Sequence, residues 1–207
     1  MLQTQTLKPA TFALVKSIQG ISELKGLRLI GGTALALQLG HRKSVDLDFF
    51  GEWDLKLDLP KLLSTCGKVN IVDKGTRMQF YKVNGVKCDF VTFEYPWLFP
   101  EVETDGVRLA DIRDIAAMKM HTLASRGMQR DFFDVAELLH HFTLHEMVEF
   151  YVKKYSDSSP LVVFRSLAYF EDAEKDKDPP VMLNHTTWED AKKRIIEALG
   201  PTLRKWI

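Results

Sequence analysis

The chain is short of several things, and each shortage excludes a class. Its 207 residues include two cysteines, Cys66 and Cys88, too few for a disulfide framework, which points to a reducing compartment. No apolar run approaches the roughly 18 residues that a bilayer crossing needs. The opening residues, MLQTQTLKPATFALVK, have no basic segment followed by an apolar stretch, so they do not read as a secretory signal. A soluble cytoplasmic protein without a membrane segment is expected. Neither charge is in excess, with 28 Lys+Arg against 28 Asp+Glu. Residues 1–104 carry 13 basic and 11 acidic side chains, and residues 105–207 carry 15 and 17. No basic arm or acidic tail stands out, so any contact with RNA has to come from a local patch. There is no internal repeat and no low-complexity tract. What remains is 45% hydrophobic and 27% charged, the composition of a folded globular chain rather than a disordered one.

Residues 9–24 read as a helix, with Pro9 suited to a first turn and Phe12, Val15, Ile18 and Ile21 at three-residue spacing. Leu27–Ile30 reads as a strand running into Gly31-Gly32. Thr33–Leu39 reads as a helix closed by Gly40. After a basic loop, His41-Arg42-Lys43-Ser44, the stretch Val45–Phe50 alternates apolar and acidic residues as a strand does. Pro60–Cys66 is a short helix candidate and Val69–Val72 a strand. Met78–Val83 and Val86–Phe93 flank Asn84-Gly85, a favoured two-residue hairpin turn. The character changes near Pro96–Pro100. Helices are expected at Ile112–Ser125, Gln129–Phe142, Leu144–Lys154, Pro160–Glu171 and Trp188–Ile207. The fold class is therefore α+β, a small mixed or antiparallel sheet with flanking helices at 1–104, followed by a helical domain at 105–207.

Residues 29–50, LIGGTALALQLGHRKSVDLDFF, carry the chemistry. Gly31 and Gly32 let a phosphate chain come close to the backbone. The helix that follows turns free N–H groups and a positive dipole end toward such an anion. The Thr33 hydroxyl is a further donor. Asp46 and Asp48 lie two apart on the expected strand and so share a face, with Val45, Leu47 and Phe49 on the core side. Oxygen ligands so placed suit a hard divalent cation. Asp89 offers a third carboxylate on the second strand of the hairpin. If that strand lies beside Val45–Phe50, the three converge, and two cations could clamp an in-line phosphoryl or nucleotidyl displacement. Arg42 and Lys43 are either nucleotide or RNA contacts or a solvated loop.

In the helical half, Lys119 interrupts an apolar stripe formed with Ile112, Ile115, Ala116 and Leu123, so it needs an anion. A nucleotide phosphate would serve, and so would Asp131 or Asp134 on the next helix. Together these groups point to a buried polar site between the two halves. His140, His141 and His145 lack a cysteine or acid to complete a zinc set.

Gly31-Gly32-Thr33 followed by Asp46-Leu47-Asp48, with Asp89 downstream, resembles the DNA polymerase beta-like nucleotidyltransferase superfamily. The stretch DIAAMKMHTLASRGMQRDFFDVAELL, with Lys119 followed by Arg130-Asp131 and Asp134, resembles the AbiEii-like family, the toxins of type IV toxin–antitoxin systems. The resemblance covers roughly residues 25–142 by motif. It implies a nucleotidyltransferase fold with a helical C-terminal domain. It implies metal-dependent use of a nucleoside triphosphate and, for some members, nucleotide transfer to the 3′ end of tRNA. It also implies an antitoxin partner. Carried onto this chain, Gly32 and Thr33 would grip the triphosphate, and Asp46 and Asp48 would hold magnesium, or manganese in its place. Lys119 would contact phosphate, and Asp131 or Asp134 would be the acid of the helical domain. The family's turn often has Ser where this chain has Thr33, which keeps the hydroxyl. Asp89 as third carboxylate is a property of the wider superfamily. The competing readings are transfer to a small molecule or protein, a nucleotide-sugar glycosyltransferase built on the same Asp-x-Asp, and a non-catalytic binding module.

Overall fold

The computed structural model describes residues 1–206. They form two compact units. The first comprises 1–94 and 100–111, and the second comprises 95–99 and the residues from 112 onward.

The first unit is built on one seven-stranded mixed sheet. Its strands are β1 (Leu27–Ile30), β2 (Leu47–Gly51), β3 (Val69–Lys74), β4 (Met78–Val83), β5 (Val86–Thr92), β6 (Val102–Thr104) and β7 (Val107–Leu109). The order across the sheet is β3-β4-β5-β2-β1-β7-β6. Antiparallel pairs join β3, β4 and β5, while β2 runs parallel to β5 and antiparallel to β1. The β4–β5 hairpin closes at Asn84 and Gly85, with φ of 51° and 82°, the positive values that a two-residue turn of this kind requires. Alternation sorts the side chains of the central strands. Leu47, Phe49, Cys88 and Phe90 are wholly buried, and the Phe49 and Phe90 rings stack with centroids 5.1 Å apart. Their neighbours Asp48 and Asp89 occupy the other face.

Three helices accompany the sheet: α1 (Pro9–Gln19), α2 (Gly31–Leu39) and α3 (Leu59–Leu63). The first ends earlier than its periodicity suggested. Gly20 follows Gln19, and residues Ser22–Leu24 form a separate 3-10 turn. The second begins two residues before Thr33, at Gly31.

Strands β6 and β7 were not anticipated. They form a hairpin across Asp105 and Gly106, and Leu109 pairs in parallel with Leu29 of β1. This hairpin places residues 105–111 with the sheet, so a single cut at 104/105 does not describe the chain's division into units.

The second unit holds α4 (Ile112–Ser125), α5 (Gln129–Leu138), α6 (Leu144–Lys154), α7 (Pro160–Leu167), α8 (Glu171–Glu174) and α9 (Trp188–Trp206). The expected α5 extension to Phe142 does not form. The chain turns at Leu139, and Thr143 begins α6 with a capping box, its hydroxyl accepting from the Glu146 N–H while Glu146 accepts from the Thr143 N–H. That contact satisfies two donors a helix start leaves open. It also holds the Glu146 carboxyl below its ordinary value. Similarly, α7 stops at Leu167 rather than Glu171. The expected end of α9 at Ile207 lies outside the described residues.

A buried ion pair ties residues 95–99 to these helices. Asp114 and Lys154, both fully buried, meet at 2.6 Å. Asp114 also accepts the N–H groups of Leu98 and Phe99 at 3.1 and 3.0 Å. Lys154 donates to the Pro96 carbonyl at 2.6 Å.

Candidate active site

The glycine turn and the acidic strand are brought together by β1 and β2. Ile30 is the register partner of Asp48, so the residue after Ile30 must pass beside the Asp48 carboxylate. That residue is Gly31, at φ +69°, where a Cβ would lie 2.7 Å from Asp48 Oδ2. Glycine is required there for both reasons, its positive φ and the space the carboxylate takes. Asp48 thereby lies at the N-terminal end of α2, with Gly32 beside it in the first turn.

Asp46 is placed differently from the expectation. The strand begins at Leu47, so Asp46 belongs to the segment before it. Val45, expected on the core side, is 60% exposed. A local anchor fixes this segment. The Thr33 hydroxyl donates to the Asp46 carbonyl and lies 2.7 Å from the Ser44 hydroxyl. Thr33 is buried and its one proton is committed to a carbonyl, so in this structure it positions Asp46 instead of donating to a phosphate. Ser44, read from sequence as part of a basic loop, belongs to this anchor.

Asp89 is the direct partner of Asp48 in the parallel β2–β5 register, which puts both carboxylates on one face. Asp89 is buried, and its Oδ1 has no hydrogen-bond partner. Its Oδ2 is 2.8 Å from the Lys87 ammonium. Burial by itself would lower the Lys87 ammonium, but Asp89, with Asp46 and Asp48 adding, holds it above its ordinary value. On the opposite face, burial pushes the Cys88 thiol up to about 12, with the same three carboxylates contributing.

These residues fit a hard divalent cation. The donors are all oxygens, and one of them is a buried carboxylate oxygen without a partner, which is costly unless something positive reaches it. They do not form a ready-made cage. Among the described residues, no three His, Cys, Asp or Glu side chains are gathered closely enough to hold a metal ion. The expected convergence is looser than that, with Asp46 off the strand and an ammonium against Asp89.

Arg42 and Lys43 divide. Arg42 is buried and donates to the Lys43 carbonyl at 3.0 Å, so it is not part of a solvated loop. Lys43 is exposed, and its ammonium reaches the Gln5 carbonyl.

In the helical unit, Lys119 is 2.8 Å from Asp131 Oδ1 and 2.6 Å from Asp134 Oδ2, and all three are buried. Arg126 stands 3.8 Å from Asp131 Oδ2. Of the two anions the sequence offered Lys119, a phosphate or these aspartates, the structure supplies the aspartates. His140, His141 and His145 line an open concavity of about 540 Å³ together with Arg194 and Lys205.

Against known proteins, residues 22–206 match the family model described as nucleotidyl transferase AbiEii toxin, type IV toxin–antitoxin system. The chain belongs to the AbiEii family. It is a nucleotidyltransferase of the toxin type found in type IV toxin–antitoxin systems. A relative from Aquifex aeolicus, described as uncharacterized protein aq_aa25, is 34% identical over 155 residues, which is 72% of this chain and 75% of the relative. Among solved structures, JHP933 of Helicobacter pylori superposes with a TM-score of 0.60 at 20% identity, covering 95% of this chain and 90% of the other. MenT4, a nucleotidyltransferase toxin of Mycobacterium tuberculosis, does so with a TM-score of 0.63 at 15% identity, covering 94% and 84%. At those identities the likeness is one of fold.

For an AbiEii nucleotidyltransferase, the sheet positions matter more than the motif alone revealed. Two residues escaped the sequence reading. Ser44 had a signal, since a hydroxyl two residues before Asp46 can reach the anchor. Lys87 had one as well, because a lysine two residues before Asp89 shares its face of a strand. No helix of the described residues is long and apolar enough to cross a membrane.

Proposed function

We propose that this AbiEii protein transfers a nucleotide from a nucleoside triphosphate to the 3′ end of tRNA in the cytoplasm, and that a cognate antitoxin protein restrains it. The observation that carries this reading is the direct pairing of Asp48 and Asp89 across β2 and β5, beside a glycine turn that opens α2. Asp46, Asp48 and Asp89 would hold magnesium or manganese, which when bound supplies positive charge to the triphosphate and acidity to the attacking hydroxyl. The chain's own groups do the rest. Gly31 and Gly32 leave room for a phosphate at the start of α2, where unpaired N–H groups favour an anion. Thr33 and Ser44 fix the segment that carries Asp46. Within the helical unit, Asp131 and Asp134 hold the Lys119 ammonium in place. In the transfer, the acceptor hydroxyl gives up its proton to solvent, its oxygen bonds the α-phosphorus, the bond from that phosphorus to the α–β bridging oxygen breaks, and pyrophosphate leaves.

The test uses the purified chain, each of the four α-labelled nucleoside triphosphates, magnesium and total tRNA. The expected result is label at the tRNA 3′ end with one or two nucleotides, reduced on the order of 100-fold or more in Asp48→Asn, the scale of losing a charge-stabilising group. Label confined to a protein or small-molecule fraction would overturn the tRNA acceptor. Equal transfer by wild type and Asp48→Asn would overturn the carboxylate site.

A further inference from the structure

The charges of the chain balance overall, so a site for an anionic partner has to be a local excess. The helical unit holds one, in the concavity of about 540 Å³ between the turn that follows α5 and the later turns of α9. Arg194, Ala198, Pro201 and Lys205 share one face of α9 and line one wall. The small side chains between the two cations leave that wall open. His140 and His141, both exposed, line the other with Phe142. The donors here are side chains, because the N–H groups of His140, His141 and Phe142 already bond to the carbonyls of Glu137 and Leu138. Glu146 is the one acid among the described lining residues. Its carboxylate already accepts the Thr143 N–H and hydroxyl at 2.8 and 2.7 Å, with Lys205 and His145 adding charge near it. His145 also stands 3.5 Å from Glu149. Arg194 gives one N–H to the Ala136 carbonyl at 2.9 Å, and a guanidinium carries several more. Two permanent cations and a set of planar rings thus face a single satisfied carboxylate. Cations beside rings suit phosphates beside bases, whereas an acidic peptide would use the cations alone. The volume lies in the range that encloses a small ligand, roughly 300–1,000 Å³, so it admits an unpaired nucleotide and not a duplex.

We propose that this concavity binds an unpaired stretch of the RNA acceptor, with Arg194 and Lys205 on its phosphates and the His140 and His141 rings against its bases. It is built entirely by the helical unit. The inference rests on the reading that the acceptor is RNA.

Binding of end-labelled tRNA to the intact chain, measured by filter retention over a range of salt, tests it alongside transfer kinetics. For the wild type, the logarithm of affinity is expected to fall linearly with the logarithm of salt concentration. Lys205→Gln is expected to bind about two- to fivefold more weakly with a salt slope shallower by about one. It should raise KM for tRNA by the same factor and leave kcat unchanged. Lys205→Arg keeps the charge and is expected to match the wild type. Replacing His140 and His141 together by Ala is expected to weaken binding at least about fivefold, the scale of losing a stacked base. Unchanged affinity and slope in folded Lys205→Gln and in the histidine double variant, with tRNA still labelled, overturns the concavity as an RNA site and leaves the tRNA acceptor in place. Displacement of tRNA by polyglutamate as readily as by unlabelled single-stranded RNA of equal charge assigns the cations to an acidic protein and also overturns it. A wild type that neither binds nor labels RNA overturns both readings.

Discussion

Lys154→Met isolates the buried ion pair of the helical unit. The lysine meets Asp114 Oδ1 and the Pro96 carbonyl, each at 2.6 Å, and stands 4.9 Å over the Trp97 ring, and neither charged side chain has any exposure. Methionine fills most of the stem's volume, so the loss is chiefly electrostatic. Asp114 keeps the N–H groups of Leu98 and Phe99 but loses its counter-charge in a place water does not reach. Removing one partner of such a pair costs about 3–5 kcal/mol. The melting temperature should fall by roughly 6–20 °C, at about 2–4 °C per kcal/mol for a chain of this size. Circular dichroism during urea and thermal unfolding measures both. The decisive variant is the double one, Asp114→Asn with Lys154→Met. A neutral amide needs no counter-ion and its oxygen still accepts a backbone N–H, so the double variant should be more stable than Lys154→Met alone. A coupling of about 1–3 kcal/mol is expected for two groups in direct contact. A Lys154→Met protein within about 1 kcal/mol of wild type, or strict additivity in the cycle, would refute the account, since the observed charge pair would then contribute little.

Two further outcomes test the sheet unit. Gly31→Ala forces a Cβ to 2.7 Å from Asp48 Oδ2 at a positive φ; about 1–2 kcal/mol of stability should be lost, and nucleotidyl transfer should fall at least tenfold as the carboxylate is displaced, whereas full activity would show that the close approach is incidental. The Cys88 thiol, raised by burial from 9.0 to about 12, keeps its proton in the folded state at pH values where the unfolded chain loses it. Its contribution to stability is therefore complete below about pH 9 and declines as pH rises toward 12, by up to about 1.4 kcal/mol per pH unit. Cys88→Ala should flatten that decline in urea melts, and a thiol reagent at pH 8 should modify Cys66 while sparing Cys88 until the chain unfolds.

Local signals were legible where the physics is local. Asn84-Gly85 specifies its hairpin because both positions accept positive φ. The bounds of α4 and α6 follow from periodicity and, for α6, from the Thr143 and Glu146 cap. The same logic would have found β6 and β7, since Asp105-Gly106 is a turn dipeptide of the same kind. Periodicity overran the helices at Gln19, Leu138 and Leu167, because an apolar repeat continues through a turn when both flanking helices face one core. The glycine turn, the acids of residues 46–48 and the AbiEii resemblance were also visible in the sequence.

The chain alone thus determined which groups are available: oxygen donors at Asp46, Asp48 and Asp89, a glycine turn ahead of them, and Lys119 on an otherwise apolar stripe. Tertiary structure decided what each group meets. The parallel pairing of β2 with β5 connects residues some forty positions apart, and only that pairing makes Asp48 and Asp89 neighbours. The Thr33 hydroxyl could have been a phosphate donor until the fold brought it to the Asp46 carbonyl. Lys119 could have met a phosphate or an acid, and helix packing placed it between Asp131 and Asp134. Side-chain chemistry is local and can be read residue by residue, whereas the partner that satisfies a buried charge comes from a distant part of the chain and exists only once the backbone has closed around it.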